Sequence, residues 1–111
     1  MSKGKDIIVA VRDFTTLPGA RYKSDGTGSA QEFFEKRIEP VLKQCPNSLT
    51  IDFDGTWGYA SSFMSELTVK LLQSLGSIEE VRKIVQIKSE DEPGLAGRFW
   101  EYTNEDNAQE N

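Results

Sequence analysis

The chain has 111 residues, of which 37% are hydrophobic and 28% charged, and its formal net charge is −5. These values are typical of a single soluble domain, and the acidic balance argues against broad binding to nucleic acid or to anionic membranes. The chain has no histidine and one cysteine, Cys45, which excludes an internal disulfide, Ser–His and Cys–His nucleophile pairs and the usual zinc ligand sets. We therefore expect a non-catalytic protein without a metal ion or cofactor.

Two features of the sequence predict a cytoplasmic location. The polar N-terminus MSKGKD has no apolar segment of the kind found in signal peptides, and a single cysteine fits a reducing compartment. The longest apolar runs are too short to cross a bilayer, so no contact with a membrane is expected.

The first predicted elements are a strand and a long loop. Residues 7–11 (IIVAV) are uniformly apolar, which predicts a strand buried on both faces or nearly so. Residues 12–28 hold three glycines and one proline and show no apolar period. Loops of this length are usually functional or disordered in compact domains.

The next segment predicts a helix that begins at Ser29. Ser29 and Glu32 have the spacing of a capping box, and apolar side chains follow at helical spacing. Pro40 lies inside this pattern and predicts a kink, or a new turn that begins at about Glu39. The sequence Cys45-Pro46-Asn47 marks the end of the helix.

The second half of the chain alternates strands and helices. Residues 49–53 alternate between apolar and polar, which predicts a strand with one polar face. A mainly apolar helix follows at 60–75, and Gly76 fits the position just after a helix end. Ser77 has the spacing of a second cap and predicts a helical turn at 78–82.

The last predicted elements are a strand at 84–88 and a helix at 95–102. Residues 104–111 form an acidic tail that we expect to be disordered, which leaves one domain at 1–103. The alternating order predicts an α/β fold, with a small sheet of three or four strands packed by crossover helices.

The stretch IDFDGTWGYASSFMSELTVKLLQSL resembles the signature of STAS domains, the fold of bacterial anti-sigma factor antagonists and sulfate-transporter tails. In that family a strand of the form V-D-L-S-G precedes a helix opened by D-S-S-G-L, whose second serine is a phosphoacceptor. Residues 51–55 match the strand and residues 60–64 match the helix start. The resemblance therefore implies a STAS-like fold, with Ser62 as the phosphoacceptor and Ser61 as the residue before it.

A closer resemblance is to small STAS-like bacterial proteins, and it covers residues 6–103. These share the form G-Y-x-S-S-F, here residues 58–63, and an upstream P-G-x-R-Y-x-S-D-G loop, here residues 18–26. Ala60 and Phe63 depart from the wider family, which has an acidic residue and a glycine there. The branch often occurs beside genes for GHKL-type ATPases, which implies an ATPase or kinase-like protein partner.

Three interpretations of the double serine remain open. Ser61 and Ser62 either cap a helix within an unmodified partner surface, or Ser62 carries a phosphate, or the helix start binds a phosphate-bearing ligand. The loop at 18–28 is either a solvated connection or a contact surface. In the second case Arg21 and Lys23 contact phosphate or carboxylate groups and Tyr22 is an anchor.

The remaining candidates flank these two segments. Ser24 and Asp25 belong to the loop motif, and Trp57, Gly58, Tyr59 and Phe63 surround the serines. The aromatic residues before the serines are either lids on the core or anchors for a partner. We interpret Asp52 and Asp54 as solvated carboxylates at a strand end rather than as a metal or acid–base pair.

The favoured function is a non-catalytic protein-interaction or switch module. It would dock an ATPase or kinase-like partner through the loop at 18–28 and the serine turn at 57–63. The alternative is a ligand-sensing domain that binds a nucleotide or another phosphate compound at the same two segments. The oligomeric state stays open.

Overall fold

The computed structural model describes residues 4–16, 18, 22–25, 28–56 and 61–109. Its main elements follow in the order β1 (Asp6–Ala10), α1 (Ala30–Phe33), α2 (Glu39–Leu42), β2 (Ser48–Asp52), α3 (Ser61–Leu75), α4 (Ile78–Ile84), β3 (Val85–Lys88) and α5 (Leu95–Gln109). Two short 3₁₀ helices, Val11–Asp13 and Lys23–Asp25, lie between β1 and α1, and a π-helical segment, Phe34–Ile38, joins α1 to α2.

The strands of the described residues form one parallel sheet in the order β1-β2-β3. Val9 pairs with Ile51, and Ile51 pairs with Ile87. The side chains of this row face the helices, and Ile51 is fully buried there. The predicted α/β fold with a small sheet and crossover helices is confirmed.

The prediction that β1 is buried on both faces is wrong. Ile7 and Val9 pack against the core, whereas Ile8 is 67% exposed. Ile8 lies in register with Thr50 and Gln86 on the opposite face of the sheet. A run of apolar residues without alternation does not reveal which face is covered. The strand also lies one residue earlier than the predicted 7–11.

Serine caps begin two of the helices, as the spacing predicts. The backbone N–H of Glu32 donates to Ser29 Oγ at 3.1 Å before α1, and that of Glu80 donates to Ser77 Oγ at 3.2 Å before α4. Each bond satisfies an N–H that has no partner inside the helix. The helix α4 is longer than predicted, because it continues to Ile84.

Pro40 shapes the joint between α1 and α2. It has no N–H, and in a regular helix its ring would meet the carbonyl of the residue four positions earlier. The chain widens into a π turn before the proline, where the N–H of Glu39 donates to the carbonyl of Phe34. The helix α2 then begins at Glu39, with Pro40 in its first turn. The predicted new turn is confirmed.

A row of aromatic rings connects the elements that leave the sheet. The ring centroids of Phe14 and Phe33 are 5.5 Å apart, and those of Phe33 and Phe63 are 5.9 Å apart. Phe14 follows β1, Phe33 ends α1 and Phe63 lies in the first turn of α3. The row therefore holds α1 and the first turn of α3 against the segment after β1.

The helix α5 differs most from its predicted bounds. It continues to Gln109, past the predicted end at 102. The predicted end at 102 is the last residue of the apolar stripe. The helix continues beyond this stripe through polar residues. The division into a domain at 1–103 and a tail at 104–111 stays a prediction. Among the described residues, no helix is long and apolar enough to cross a membrane.

Gly76 ends α3 in a left-handed conformation, with φ at +97°. We expect Gly76→Ala to lower the free energy of unfolding by about 1 kcal/mol. The cost arises in the backbone, because a Cβ at this position would meet no atom within 4 Å. Gly97→Ala in α5 is the matched control. Its Cβ also enters open space, but on a helical backbone, so the free energy of unfolding should rise by about 0.5–1 kcal/mol. Urea unfolding measures both values, and shifts of the same sign would contradict this explanation.

Candidate functional site

Charged residues meet where the three strands end. Ala10, Asp52 and Lys88 are the last residues of β1, β2 and β3 and lie side by side in register. Asp52 is only 5% exposed, and Lys88 Nζ lies 3.8 Å from its Oδ2. The carboxyl edge of a parallel sheet is where α/β proteins usually bind ligands.

Arg12 closes the cluster from the side of β1. Its Nη1 donates to Asp52 Oδ2 at 3.2 Å and to the backbone carbonyl of Asp54 at 2.9 Å. The side chain crosses the turn at Gly55, where a Cβ would lie 2.7 Å from Arg12 Cδ. Gly55 also has φ at +84°, so both space and backbone require glycine here.

Asp54 joins β2 to the segment after β3. Its Oδ2 accepts from Lys88 Nζ at 2.8 Å, and its Oδ1 accepts from the backbone N–H of Asp91 at 2.8 Å. Asp91 returns the contact, since its Oδ2 accepts from the N–H of Gly55 at 2.9 Å. The bonds from Asp91 and Lys88 hold the pKa of Asp54 below its ordinary value of 3.8. The same ion pair raises the pKa of Lys88 above 10.5.

The interpretation of Asp52 and Asp54 as solvated carboxylates is therefore wrong. Both are paired with cations, Arg12 from the 3₁₀ helix after β1 and Lys88 from β3. They belong to a group that we call the carboxyl-edge cluster: Arg12, Asp52, Asp54, Lys88 and Asp91. Within the described parts of the chain, no group of three or more histidine, cysteine, aspartate or glutamate residues is placed to hold a metal ion. The cluster fixes the three segments that follow the strands.

The two serines are the first residues of α3. Both lie in the first helical turn. Ser61 is exposed there, and Ser62 is half-buried. Position 60, where a cap would stand, lies outside the described residues. Phe63 was predicted as a contact residue, but its side chain is fully buried against Phe33. We assign Phe63 to the core, where it positions the serines.

The part of the loop that the structure describes is attached to α1. The N–H of Lys23 donates to Gln31 Oε1 at 3.0 Å, and Lys23 Nζ donates to Glu35 Oε1 at 2.8 Å. The ion pair raises the pKa of Lys23 and lowers that of Glu35. Tyr22 is 45% exposed, and Ser24 is exposed beside it.

Four predicted site residues, Arg21, Trp57, Gly58 and Tyr59, lie outside the described residues, and of Asp25 only the backbone conformation is described, at the end of its 3₁₀ helix. Lys23 has a carboxylate partner in Glu35, and the ligand-sensing alternative stays a prediction.

A row of alternating charges leads from the loop to α3. Lys23 pairs with Glu35 and is the main cause that lowers the pKa of Glu35. Burial opposes this shift, and the positive charge of Lys70 on α3 adds a smaller lowering effect. Lys70 Nζ also lies 3.9 Å from Glu66 Oε2, one helical turn earlier. We call Lys23, Glu35, Lys70 and Glu66 the charge row. Sequence reasoning missed it, because its members lie on three elements and no local spacing connects them.

The structure thus connects the two predicted segments through α1. Lys23 and Glu35 form an ion pair, the positive charge of Lys70 on α3 acts on Glu35, and the aromatic row of Phe14, Phe33 and Phe63 joins α1 to α3. The exposed side chains of this side include Tyr22, Ser24 and Ser61.

Comparison with known proteins gives one family. The sequence model described as a STAS-like domain of unknown function (DUF4325) matches residues 29–95. The match begins at the cap of α1, contains β2, both serines and β3, and ends at the first residue of α5. No curated protein and no solved structure matches the chain.

Proposed function

The chain belongs to the family of STAS-like domains of unknown function (DUF4325), and from this membership we propose that it is a non-catalytic interaction module regulated by phosphorylation of Ser62. The observation that carries the proposal is the place of Ser62. It lies in the first turn of the 15-residue helix α3, next to the exposed Ser61. The loop residues at 22–25 are linked to the same helix through α1.

A helix start suits a phosphorylated serine. The first N–H groups of a helix have no intrahelical partner, and the helix dipole favours negative charge there. A phosphoserine adds a charge of about −1.5 to −2 at neutral pH. Phosphorylation would therefore change the electrostatics of the surface around Ser61 and Ser62 without requiring a different fold.

Contacts with the core and with the carboxyl-edge cluster position this surface. Phe63 anchors the first turn of α3 in the core, and the carboxyl-edge cluster ties Gly55, three residues after β2, to Asp91. Tyr22 supplies an exposed aromatic side chain of the kind that is enriched in protein interfaces.

The proposed partner is an ATPase or kinase-like protein of the GHKL type, as the resemblance implies, and the proposed location is the cytoplasm. Such a partner would supply the phosphoryl group from ATP. The Ser62 hydroxyl oxygen would bond to the γ-phosphorus as the bond to ADP breaks, and the hydroxyl proton would be released. The chain itself would act as substrate and docking surface, and its lack of histidine supports a non-catalytic role.

Capture from the native host tests the proposal. Tagged wild type, Ser62→Ala, Ser62→Asp and Ser61→Asp are each used as bait, and captured proteins are identified by mass spectrometry. We expect a GHKL-type ATPase or kinase with wild type and Ser62→Ala. With Ser62→Asp we expect at least a tenfold loss, because the aspartate imitates the negative charge of the phosphorylated chain, from which the partner would be released.

The matched control is Ser61→Asp, which adds the same charge one residue earlier and should retain most of the partner. Equal recovery of the ATPase with all four baits would show that Ser62 is no switch. The absence of any ATPase or kinase from every bait would refute the proposed partner.

A further inference from the structure

The first strand of the sheet has a free edge. β1 stands at one end of the strand order, and within the described residues no strand pairs with its outer side. The carbonyl of Lys5 accepts from the N–H of Asn47 at 2.9 Å and therefore points towards β2. Backbone groups point to alternate sides along a strand, so those of the even-numbered residues of β1 point away from β2. We call these outward groups the free edge of β1: Asp6, Ile8 and Ala10.

The strand β1 lacks the features that protect edge strands. Natural edges commonly carry a lysine, a proline or a bulge, each of which hinders pairing with another chain. β1 (DIIVA) contains neither lysine nor proline, and its register with β2 is unbroken. Its one charged side chain, Asp6, is directed to β2, since Oδ1 accepts from Asn47 Nδ2 and Ser48 Oγ, each at 2.9 Å. The edge strand at the other end of the sheet, β3, contains Lys88.

The apolar side chains of β1 are incompletely covered. Ile8 is 67% exposed on the open face of the sheet. Ile7 and Val9 face the helices but are only partly buried. A further strand beside β1 would cover all three side chains and satisfy the free edge at the same time.

We propose that the free edge of β1 binds a second copy of this chain through an antiparallel pair of β1 strands centred on Ile8. The twofold axis runs perpendicular to the sheet, so the helices of both copies stay on the same side and the two sheets become one. Such a pair uses the same surface on both copies and closes at the dimer. The inference goes beyond the proposed function and does not depend on phosphorylation of Ser62.

The backbone determines the register of this pair. Ile8 exchanges two hydrogen bonds with Ile8 of the second copy, and the N–H of Ala10 donates to the carbonyl of Asp6 across the edge. Ile7 then stands opposite Val9 of the second copy on the side of the helices. This apolar pair extends the core across the new strand boundary.

Charge favours the antiparallel arrangement. Asp6 lies opposite Ala10 in this register, and the two Asp6 residues are about 14 Å apart, beyond the screening length of about 8 Å at physiological ionic strength. A parallel pair would place them side by side, where like charges destabilise. The interface is small and each copy has a net charge of −5, so we expect a Kd of about 10–100 μM and a monomer in dilute solution.

Sedimentation equilibrium of the purified full chain, from about 5 to about 500 μM, tests the proposal. Wild type should change from monomer to dimer over this range. Ile8→Lys and Ile8→Glu should each raise the Kd at least tenfold, because two like charges meet at the twofold axis. An equimolar mixture of these two variants should dimerise again, since opposite charges then face each other.

The matched controls are Gln86→Lys and Gln86→Glu. Gln86 is exposed on the same face and in the same row as Ile8, but it lies on β3. These variants carry the same charges away from the free edge and should dimerise like wild type. Circular dichroism checks that all four variants are folded.

A cross-link gives a second measurement that introduces no charge. Ile8→Cys, in a Cys45→Ser background, is incubated with oxidised glutathione. The two introduced thiols should form an intermolecular disulfide, because the paired Cα atoms would lie about 5.5 Å apart. Gln86→Cys in the same background should remain uncross-linked.

Each outcome decides the inference. Wild type that stays monomeric at the highest concentration overturns it, as does a dimer that charges at position 8 do not weaken. A mixture of the Ile8 variants that stays monomeric refutes the register, and assemblies larger than a dimer refute the closed pair. If the charged Ile8 variants do not fold, the cross-link decides: a disulfide dimer from Ile8→Cys alone supports the proposal, and equal or absent cross-linking in both cysteine variants refutes it.

Discussion

Replacement of Phe33 by alanine should lower the free energy of unfolding by about 3–5 kcal/mol. Phe33 is fully buried and contacts the rings of Phe14 and Phe63. Truncation would leave a cavity between the segment after β1 and the starts of both crossover helices, so the loss of packing cannot be compensated locally. Urea unfolding followed by circular dichroism measures the change.

Ile8→Ala is the matched control, because it also truncates a large apolar side chain. Ile8 lies on the open face of the sheet, so this change should cost less than about 0.5 kcal/mol. A large loss from Ile8→Ala would mean that the outer face of the sheet is covered, and would contradict the one-sided core.

Replacement of Asp54 by asparagine should lower the free energy of unfolding by about 1–2 kcal/mol near neutral pH. The asparagine can still accept from the N–H of Asp91, but its amide cannot form the ion pair with Lys88 Nζ, which Asp54 binds at 2.8 Å. Lys88 is partly exposed and recovers some hydration, which limits the cost. Ser89→Ala, next to Lys88, changes no member of the carboxyl-edge cluster and serves as the control.

The effect of Asp54→Asn should depend on pH in a defined direction. The folded-state pKa of Asp54 lies below 3.8, so its ionised form stabilises the protein above that value, and the contribution is lost as pH falls through the lowered pKa. The pKa of Lys88 is raised above 10.5, so its share is present below 10.5 and is lost as pH rises through the higher value.

The difference between wild type and Asp54→Asn should therefore be largest between these limits and shrink at both ends. Unfolding measured near pH 3 and pH 6 checks the acid limit. A difference that stays constant over this range would contradict the assigned ion pair.

Local signals in the sequence predicted the parts of the fold that depend on neighbouring residues. The caps at Ser29 and Ser77 and the helix end at Gly76 each require only a short spacing or a backbone preference. Pro40 likewise determines its own turn through a missing N–H. The alternating order of strands and helices then sufficed for the α/β class, because parallel strands need crossover connections.

Contacts between distant residues decided what the sequence did not reveal. Nothing in the run at 7–11 shows that Ile8 faces outward, since the covered face depends on where the helices pack. The pairing of Asp52 and Asp54 with Arg12 and Lys88 joins the chain at the ends of three strands, which are far apart in the sequence, so the acidic residues alone looked solvated.

The sequence likewise predicted only part of the candidate site. The importance of Ser62 came from its resemblance to a known motif, and its place in the first turn of α3 agrees with that motif. Phe63 was predicted as a contact residue because it follows the serines, and that position in the sequence does not reveal its burial.

The most direct test of the proposed switch is a phosphorylation map of the chain isolated from its native host. The protein is purified with phosphatase inhibitors, digested, and its phosphopeptides are sequenced by mass spectrometry, with Ser62→Ala and Ser61→Ala prepared in parallel. The account predicts one phosphate on Ser62, present in wild type and in Ser61→Ala and absent from Ser62→Ala. A chain that carries no phosphate while its GHKL-type partner is active, or a phosphate on Ser61 alone, would contradict it.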